Sequence, residues 1–442
     1  MRSIFTFPLA LLTVCAPLHA DITVGPEGSG AQTDNINDAI FNADEGETIF
    51  VLPGTYEDIQ VKRQSVRILG AGADRVTFAY SGDALFAQSS RIFDLTENQQ
   101  VFISGVTFDT QVSTTFEGSL HAFDNQGRVY LHDCVVRSTT GSAQAALQFE
   151  NCDEVFIDRC SVEGFTPAFV KGAFAGSGGA ALSADFSRIR LSDSRVLGGS
   201  AVQSAPFFAN GGDALVLDDC ELALHGSELL GGDGFDSLGG DPVAGVGLRA
   251  WRSDVQLSGP LGTQVVGGAG QSADPLIVTT GGSAIVFEDE LCTLVHSNTV
   301  AFAGGVSSDG AQVPALSLQG APQTVELFQR PGLQTSAASV SPGNAFVLSL
   351  DGEPASAHAV ALALGTAPTY TLATAFGDVI LDPSSTTLLA AVSLDATGAG
   401  TLAIDLPAEP ALTGIVGWFQ SLQTGLGGGA RVSLPTALVV GQ

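Results

Sequence analysis

Four residues in the middle of this 442-residue chain combine the types that move protons: Asp158, Arg159, Lys171 and Asp218. An Arg or Lys beside carboxylates can abstract the proton next to a sugar carboxylate, provided that calcium or another cation neutralises that carboxylate. Lysine is scarce, with Lys62 and Lys171 alone in the chain, so Lys171 is where such lyase chemistry would concentrate. His132, Asp158, Ser192 and Asp218, read as one column of successive repeats, supply the residue types of a serine hydrolase. Their stacking order excludes that enzyme, because Asp158 falls between His132 and Ser192 whereas the chemistry needs His in the middle.

Three other sets of residues invite chemistry. The stretch GGDGFDSLGG, residues 231 to 240, fits the calcium-binding pattern GGxGxDxUx, U being a large apolar residue. Asp233, Asp236 and Asp241 are its calcium candidates. Calcium takes about six to eight oxygens, and such nonapeptides supply them by stacking consecutive copies. The pattern occurs once, so a glycine-rich turn with at most weakly held calcium is the expectation. Tyr130 and Phe156, with His132 beside them, form an outward aromatic pair on which a sugar ring could stack; ordinary packing between neighbouring coils is the competing reading. Cys134 and Cys160 occupy one position in consecutive repeats, about 4.8 Å apart if the repeats stack, within reach of a disulfide. A ladder of buried small side chains is the favoured alternative, since strict stacking seldom gives a disulfide's dihedral angle.

The elements that must position these residues are short apolar strands in register. VFISGVTF at 101, VYLHDCVV at 129, VFIDRCSV at 155, IRLSDSRV at 189 and LVLDDCEL at 215 recur every 26 to 34 residues. That spacing means stacked supersecondary units, and alternation with period two means strands. Val129 and Leu131, Val155 and Ile157, and Leu215 and Leu217 are expected inside; Tyr130, His132, Phe156, Asp158, Val216 and Asp218 are expected outside. Upstream, DNINDAIFNADEGETIFVLPGTYED reads as a short amphipathic helix, with Ile36, Ile40 and Ala43 on one side, then a strand Thr48 to Leu52 and a turn at Pro53 to Tyr56. This helix, followed by GETIFV and PGTY, resembles the opening of right-handed parallel β-helix proteins of the pectate-lyase-like superfamily. The resemblance covers about residues 21 to 320 in repeat character and is specific at 35 to 70. It implies a β-helix fold with a capping helix; lyases, hydrolases, esterases and proteins without catalysis share that fold.

After about residue 320 the repeat stops. Runs such as NAFVLSLDG, HAVALALG and GTLAIDLPA, separated by Gly, Pro and Ser, read as a small antiparallel β-sandwich over 321 to 442. That segment resembles accessory C-terminal domains of secreted bacterial proteins, and Trp418 is expected in its core. Residues 1 to 20, MRSIFTFPLALLTVCAPLHA, have the charge, apolar run and small terminal residue of a secretory signal peptide. The expected location is therefore extracellular or on the cell surface. A net charge of −29 repels nucleic acid and anionic lipid, and no later apolar stretch is long enough to insert in a membrane. The expected fold is all-β, a right-handed parallel β-helix followed by a β-sandwich. The expected role is structural, adhesive or glycan-binding, with polysaccharide as partner; a polysaccharide lyase or glycoside hydrolase on the outer face is the alternative. Pairing of subunits is not legible.

Overall fold

The computed structural model describes residues 22–441 except 80–88, 111–117, 139–144, 168–175, 202–208, 237–242, 260–262, 273–276, 319–322, 328–331, 353–354, 365–371, 375–376, 380, 382–385, 410–411 and 425–429. The leader at 1 to 20, Lys171 and Asp241 lie outside the described residues.

Apart from one short α-helix the described elements are β. Nine strands, from Gly54–Tyr56 to Ala301–Ala303, form one sheet in which each lies parallel beside the next along the chain. A second sheet of 18 strands is built in the same manner. Within it Val66, Val101, Val129, Val155, Ile189, Leu222, Val255 and Leu294 follow in register, each at most 1% exposed. Long parallel pairing of this kind, with β-branched and leucine columns inside, is a repeat-built, solenoid-like arrangement. The helix Ile36–Asn42 covers its first strands. Asn35 caps it by accepting from the Asn37 and Asp38 amides, and Ile36 and Ile40 bury against Val24 and Ile49. The expected turn at Pro53 is instead the entry to the strand Gly54–Tyr56, with the Tyr56 hydroxyl donating to the Leu52 carbonyl at 2.6 Å.

One register departs from the sequence alignment. Leu215–Asp218 pairs with Leu182–Asp185, not with the strand at 189, and Ser192 pairs with His225. Each turn of the chain holds two corners of one pattern, so Asp185-Phe186-Ser187 and Ser192-Asp193-Ser194 look alike in sequence. Both corners use left-handed backbone: Asp124, Asn151, Phe186 and Asp219 at the first, with φ of 53°, 51°, 49° and 50°, and Asp133, Arg159 and Asp193 at the second, with φ of 51°, 55° and 47°. Just beyond each corner a small side chain turns inward and accepts the amide of the previous turn. Cys152 N donates to Ser187 Oγ at 3.0 Å and Cys220 N to Ser253 Oγ at 3.0 Å; at the other corner Cys160 N donates to Ser194 Oγ at 2.9 Å and Ser194 N to Ser227 Oγ at 3.0 Å. Cys220 therefore belongs to a different ladder from Cys134 and Cys160.

All five described cysteines are buried and unbridged, so the Cys134 to Cys160 disulfide is not formed. Burial pushes the Cys152 thiol up to about 11 and Cys220 to about 12, and burial next to Cys134 raises Cys160 well above the usual thiol range. All five thiols are expected to resist a maleimide in native buffer and to react in denaturant, without any gel shift on reduction. Rapid native labelling would contradict this ladder.

A second ladder is made of glycine. Gly199, Gly212, Gly232, Gly245, Gly268, Gly282 and Gly305 each donate their amide to the preceding member of the series, beginning with the Gly179 carbonyl, at 2.7 to 2.9 Å. The chain passes this line twice per turn, so two passes of one coil zip together backbone to backbone. A Cβ on Gly212 would lie 2.0 Å from the Gly179 carbonyl oxygen. Only glycine fits such a contact.

After Gln323–Leu327, which still belongs to the 18-stranded parallel sheet, the C-terminal segment forms two antiparallel groups and a small hairpin, Leu372–Thr374 with Gly377–Val379. One joins Gly332–Thr335, Ala345–Asp351 and Ala399–Asp405; the other joins Thr436–Val440, Val416–Thr424, Ala357–Leu364 and Thr386–Ser393, with the short Ser339–Val340 parallel at its edge. Leu348 and Leu350 of the first share a buried cluster with Val360 and Phe419 of the second. Trp418, on the opposite side of its strand from Phe419, packs elsewhere.

Candidate functional site

Alternation along Arg128 to Asp158 sends Val129 and Leu131 inward and turns Tyr130, His132, Phe156 and Asp158 to the other face, as the period-two pattern requires. That face is not open to solvent. The C-terminal sheet lies over it, and Trp418 sits 5.6 Å from the Phe102 ring and 4.9 Å from Tyr130 between centroids. Tyr130 and Phe156 stack at 4.5 Å, yet they are 1% and 5% exposed. The aromatic pair is thus a packing surface, and the outward glycan platform of Tyr130, Phe156 and His132 is corrected to an internal interface. The sequence could not reveal this, because period two separates the two faces of a strand without saying what covers either.

The polar residues of the same face are held by the interface too. Asp158 accepts from Ser192 Oγ at 2.7 Å, and His132 Nδ1 lies 2.9 Å from its other oxygen. His132 Nε2 faces the Ala338 carbonyl at 3.3 Å. Ser192 gives its hydroxyl proton to the Asp158 carboxylate, and His225, its partner on the next turn, directs Nδ1 to Ser258 Oγ at 3.2 Å, so the column bonds turn to turn and Ser192 is not set against a general base. Arg159 reaches across and donates Nη1 to the Thr335 carbonyl at 2.6 Å. Asp218 pairs with Arg252 at 2.8 Å, on the column of Asp185 and away from that of Asp158. The structure does not bring Asp158, Arg159 and Asp218 to one reaction centre.

Beside Arg159 a cleft of about 480 Å³ opens between the two parts, lined by Asp133, Asp193, Gln334 and Ser349. Gln334 donates to the Asp193 carboxylate. Burial, reinforced by Asp158 and Asp351 against the opposing pull of Gln334 and Arg159, pushes Asp193 up from 3.8 to about 8. A folded pKa above the unfolded one means that folding takes up a proton, so stability from this group is complete at acid pH and is lost as pH rises from about 4 to 8. Asp193→Asn is expected to flatten that loss. Melting temperatures at pH 5 and pH 8 measure it, and an equal decline in both proteins would remove Asp193 as the cause.

The calcium candidates have other duties. Asp233 Oδ1 accepts the Ala269 amide at 2.8 Å and Oδ2 accepts from Gln271 Nε2 at 2.8 Å, which caps the next turn of the chain. Asp236 is fully buried in Gly234–Asp236, a strand that pairs in parallel with Gly270–Ser272. Among the described residues no three His, Cys, Asp or Glu side chains converge as a metal site.

Sequence reasoning missed a second cleft, about 730 Å³, along the first corner. Its wall is a column of alternating charge. Arg188 bonds Glu154 and Glu221, each at 2.9 Å, and Arg190 bonds Glu154 at 3.2 Å. The signal for it was the first residue of each second strand: Arg128, Glu154, Arg188, Glu221.

No family model matches this sequence, and no curated protein matches it. Among solved structures, the crystal structure of Spo0M, a sporulation control protein from Bacillus subtilis, aligns at 13% identity over 26% of this chain and half of that chain, with a TM-score of 0.15. A likeness that small carries no argument.

Proposed function

We propose that this is an exported, non-catalytic protein of the cell surface or extracellular space, with a structural, adhesive or glycan-binding role. On this reading the parallel sheets are a right-handed β-helix of the pectate-lyase-like kind and the region after residue 320 is a β-sandwich. One observation supports it above others: the face on which a lyase or hydrolase would hold a polymer is roofed by the chain's own Trp418, and Asp158 and Arg159 are engaged beneath that roof. The covered face fixes the two parts together, and the glycine and serine ladders make the stack rigid, properties that suit a spacer or a scaffold for binding.

The test is incubation of the purified protein with a panel of neutral and acidic polysaccharides with calcium present, followed by assay of reducing and unsaturated ends, together with a glycan array. The expected result is no release of ends and retention on at least one glycan. Release of ends that is lost in Arg159→Ala would replace this reading with the enzymatic one.

A further inference from the structure

We propose that the first-corner cleft binds a neutral oligosaccharide, with Phe186 as its stacking platform and Arg128 as its principal hydrogen-bond donor. This rests on the glycan-binding form of the reading above. Phe186 is 59% exposed at the mouth of a polar cleft, in left-handed backbone with φ of 49°. Asp124, Asn151, Asp219 and Arg252 hold the equivalent corners, with φ between 40° and 53°. Phe186 is the aromatic one among them, and uncommon backbone of this kind clusters where a ligand needs it. A flat apolar ring exposed among charges suits the apolar face of a pyranose.

The charges decide which sugar. Arg188 and Arg190 are neutralised by Glu154 and Glu221, and Asp219 by Arg252. Arg128 differs. Among the described residues no carboxylate lies within ion-pair distance of it, and its Nε is buried without a hydrogen-bond partner. The fold thus leaves this half-buried guanidinium on the cleft wall without a carboxylate partner, while Asp153 and Glu97 on the same cleft can accept hydroxyl protons. One such cation flanked by two carboxylates repels a polyuronate or sulfated chain and matches hydroxyls, which both donate and accept. From the turn that holds Arg128 to the one that holds Asp219 is three steps of the stack, about 14 Å, the length of a short oligosaccharide.

The neighbouring corners supply the test. Phe186→Asn installs the residue that position 151 already carries in this conformation, so it is expected to fold with an unchanged or raised melting temperature. Calorimetry with neutral cello-, xylo- and manno-oligosaccharides, and with oligogalacturonate and sulfated oligosaccharides, measures binding by the full-length protein. Binding of a neutral oligosaccharide that weakens at least about tenfold in both Phe186→Asn and Arg128→Gln, and not in Phe41→Asn at the exposed Phe41, is expected. Undiminished binding in the first two variants overturns this site but leaves glycan binding standing. A preference for oligogalacturonate or sulfated chains overturns the neutral class. Failure to bind any of them overturns this site and the glycan-binding reading together.

Discussion

Gly232→Ala is expected to destabilise the protein by about 4 kcal/mol. The new Cβ would lie 2.1 Å from the Gly199 carbonyl oxygen and 2.5 Å from its carbon, and backbone cannot swing aside as a side chain can. Relief needs roughly 1 Å of separation between Gly232 and the turn before it. That separation stretches the bond from the Gly232 amide to Gly212, 2.8 Å long, and the one that Gly232 accepts from Gly245, 2.7 Å long. Each buried group left without a partner costs about 1 to 3 kcal/mol, and overpacking adds a similar amount. The entropy that alanine removes from the unfolded chain returns less than about 1 kcal/mol. Gly441→Ala is the control, because its Cβ would meet nothing nearer than Ser339 Cβ at 3.6 Å. Urea denaturation and limited proteolysis of the three proteins measure the difference. In a stack held by nearest neighbours, the Gly232 defect should also speed cleavage in the turns on both sides of it. Equal midpoints for Gly232→Ala and wild type would mean that successive turns are not in backbone contact along this line.

This ladder shows where the sequence was legible and where it was not. Period-two alternation placed Val129, Leu131, Val155 and Ile157 inside correctly, because burial of alternate side chains is a local property of a strand. The capping helix was equally readable from Ile36 and Ile40. The glycine pairs at 178, 198, 211, 231, 267, 281 and 304 were just as visible, yet the one at 231 reads in isolation as a glycine-rich turn or a calcium motif. The signal was their recurrence every 33 to 37 residues at 198, 231, 267 and 304 on one side of the coil, and at 178, 211 and 281 on the other, as in GGAAL at 178 and GGDAL at 211. The register of Leu215 failed for a different reason, since two corners of one pattern in each turn make the alignment degenerate. The candidate site failed for a third: whether Tyr130 and Asp158 meet a sugar or a tryptophan depends on residues almost 300 positions away, and no local pattern encodes that partner.

Trp418→Ala tests the long-range contact directly, with an expected loss of about 3 to 5 kcal/mol in the attachment of the C-terminal sheets. Trp418 is 3% exposed and closes over Phe102 and Tyr130, so truncation leaves a cavity lined by aromatic rings that the parallel strands hold rigidly. Such a site cannot collapse to fill the space. Its indole Nε1 is buried without a hydrogen-bond partner among the described residues, so the ring contributes by packing alone. Trp418→Phe should therefore recover most of the loss, falling within about 1.5 kcal/mol of wild type. In the alanine variant, dye binding to exposed apolar surface should rise and protease should cut first beyond Leu327, the end of the last parallel strand, leaving the parallel sheets intact. The His132 to Ala338 and Arg159 to Thr335 bonds cannot hold the parts alone, because both are made at the rim of the same face. Uncovering Tyr130 and Phe156 also decides what that face is for. If Trp418→Ala gains sugar affinity or releases chain ends from a polysaccharide, the C-terminal sheets act as a lid on a competent surface. If it only melts earlier, the aromatic pair is glue, and the covered face has a purely structural purpose.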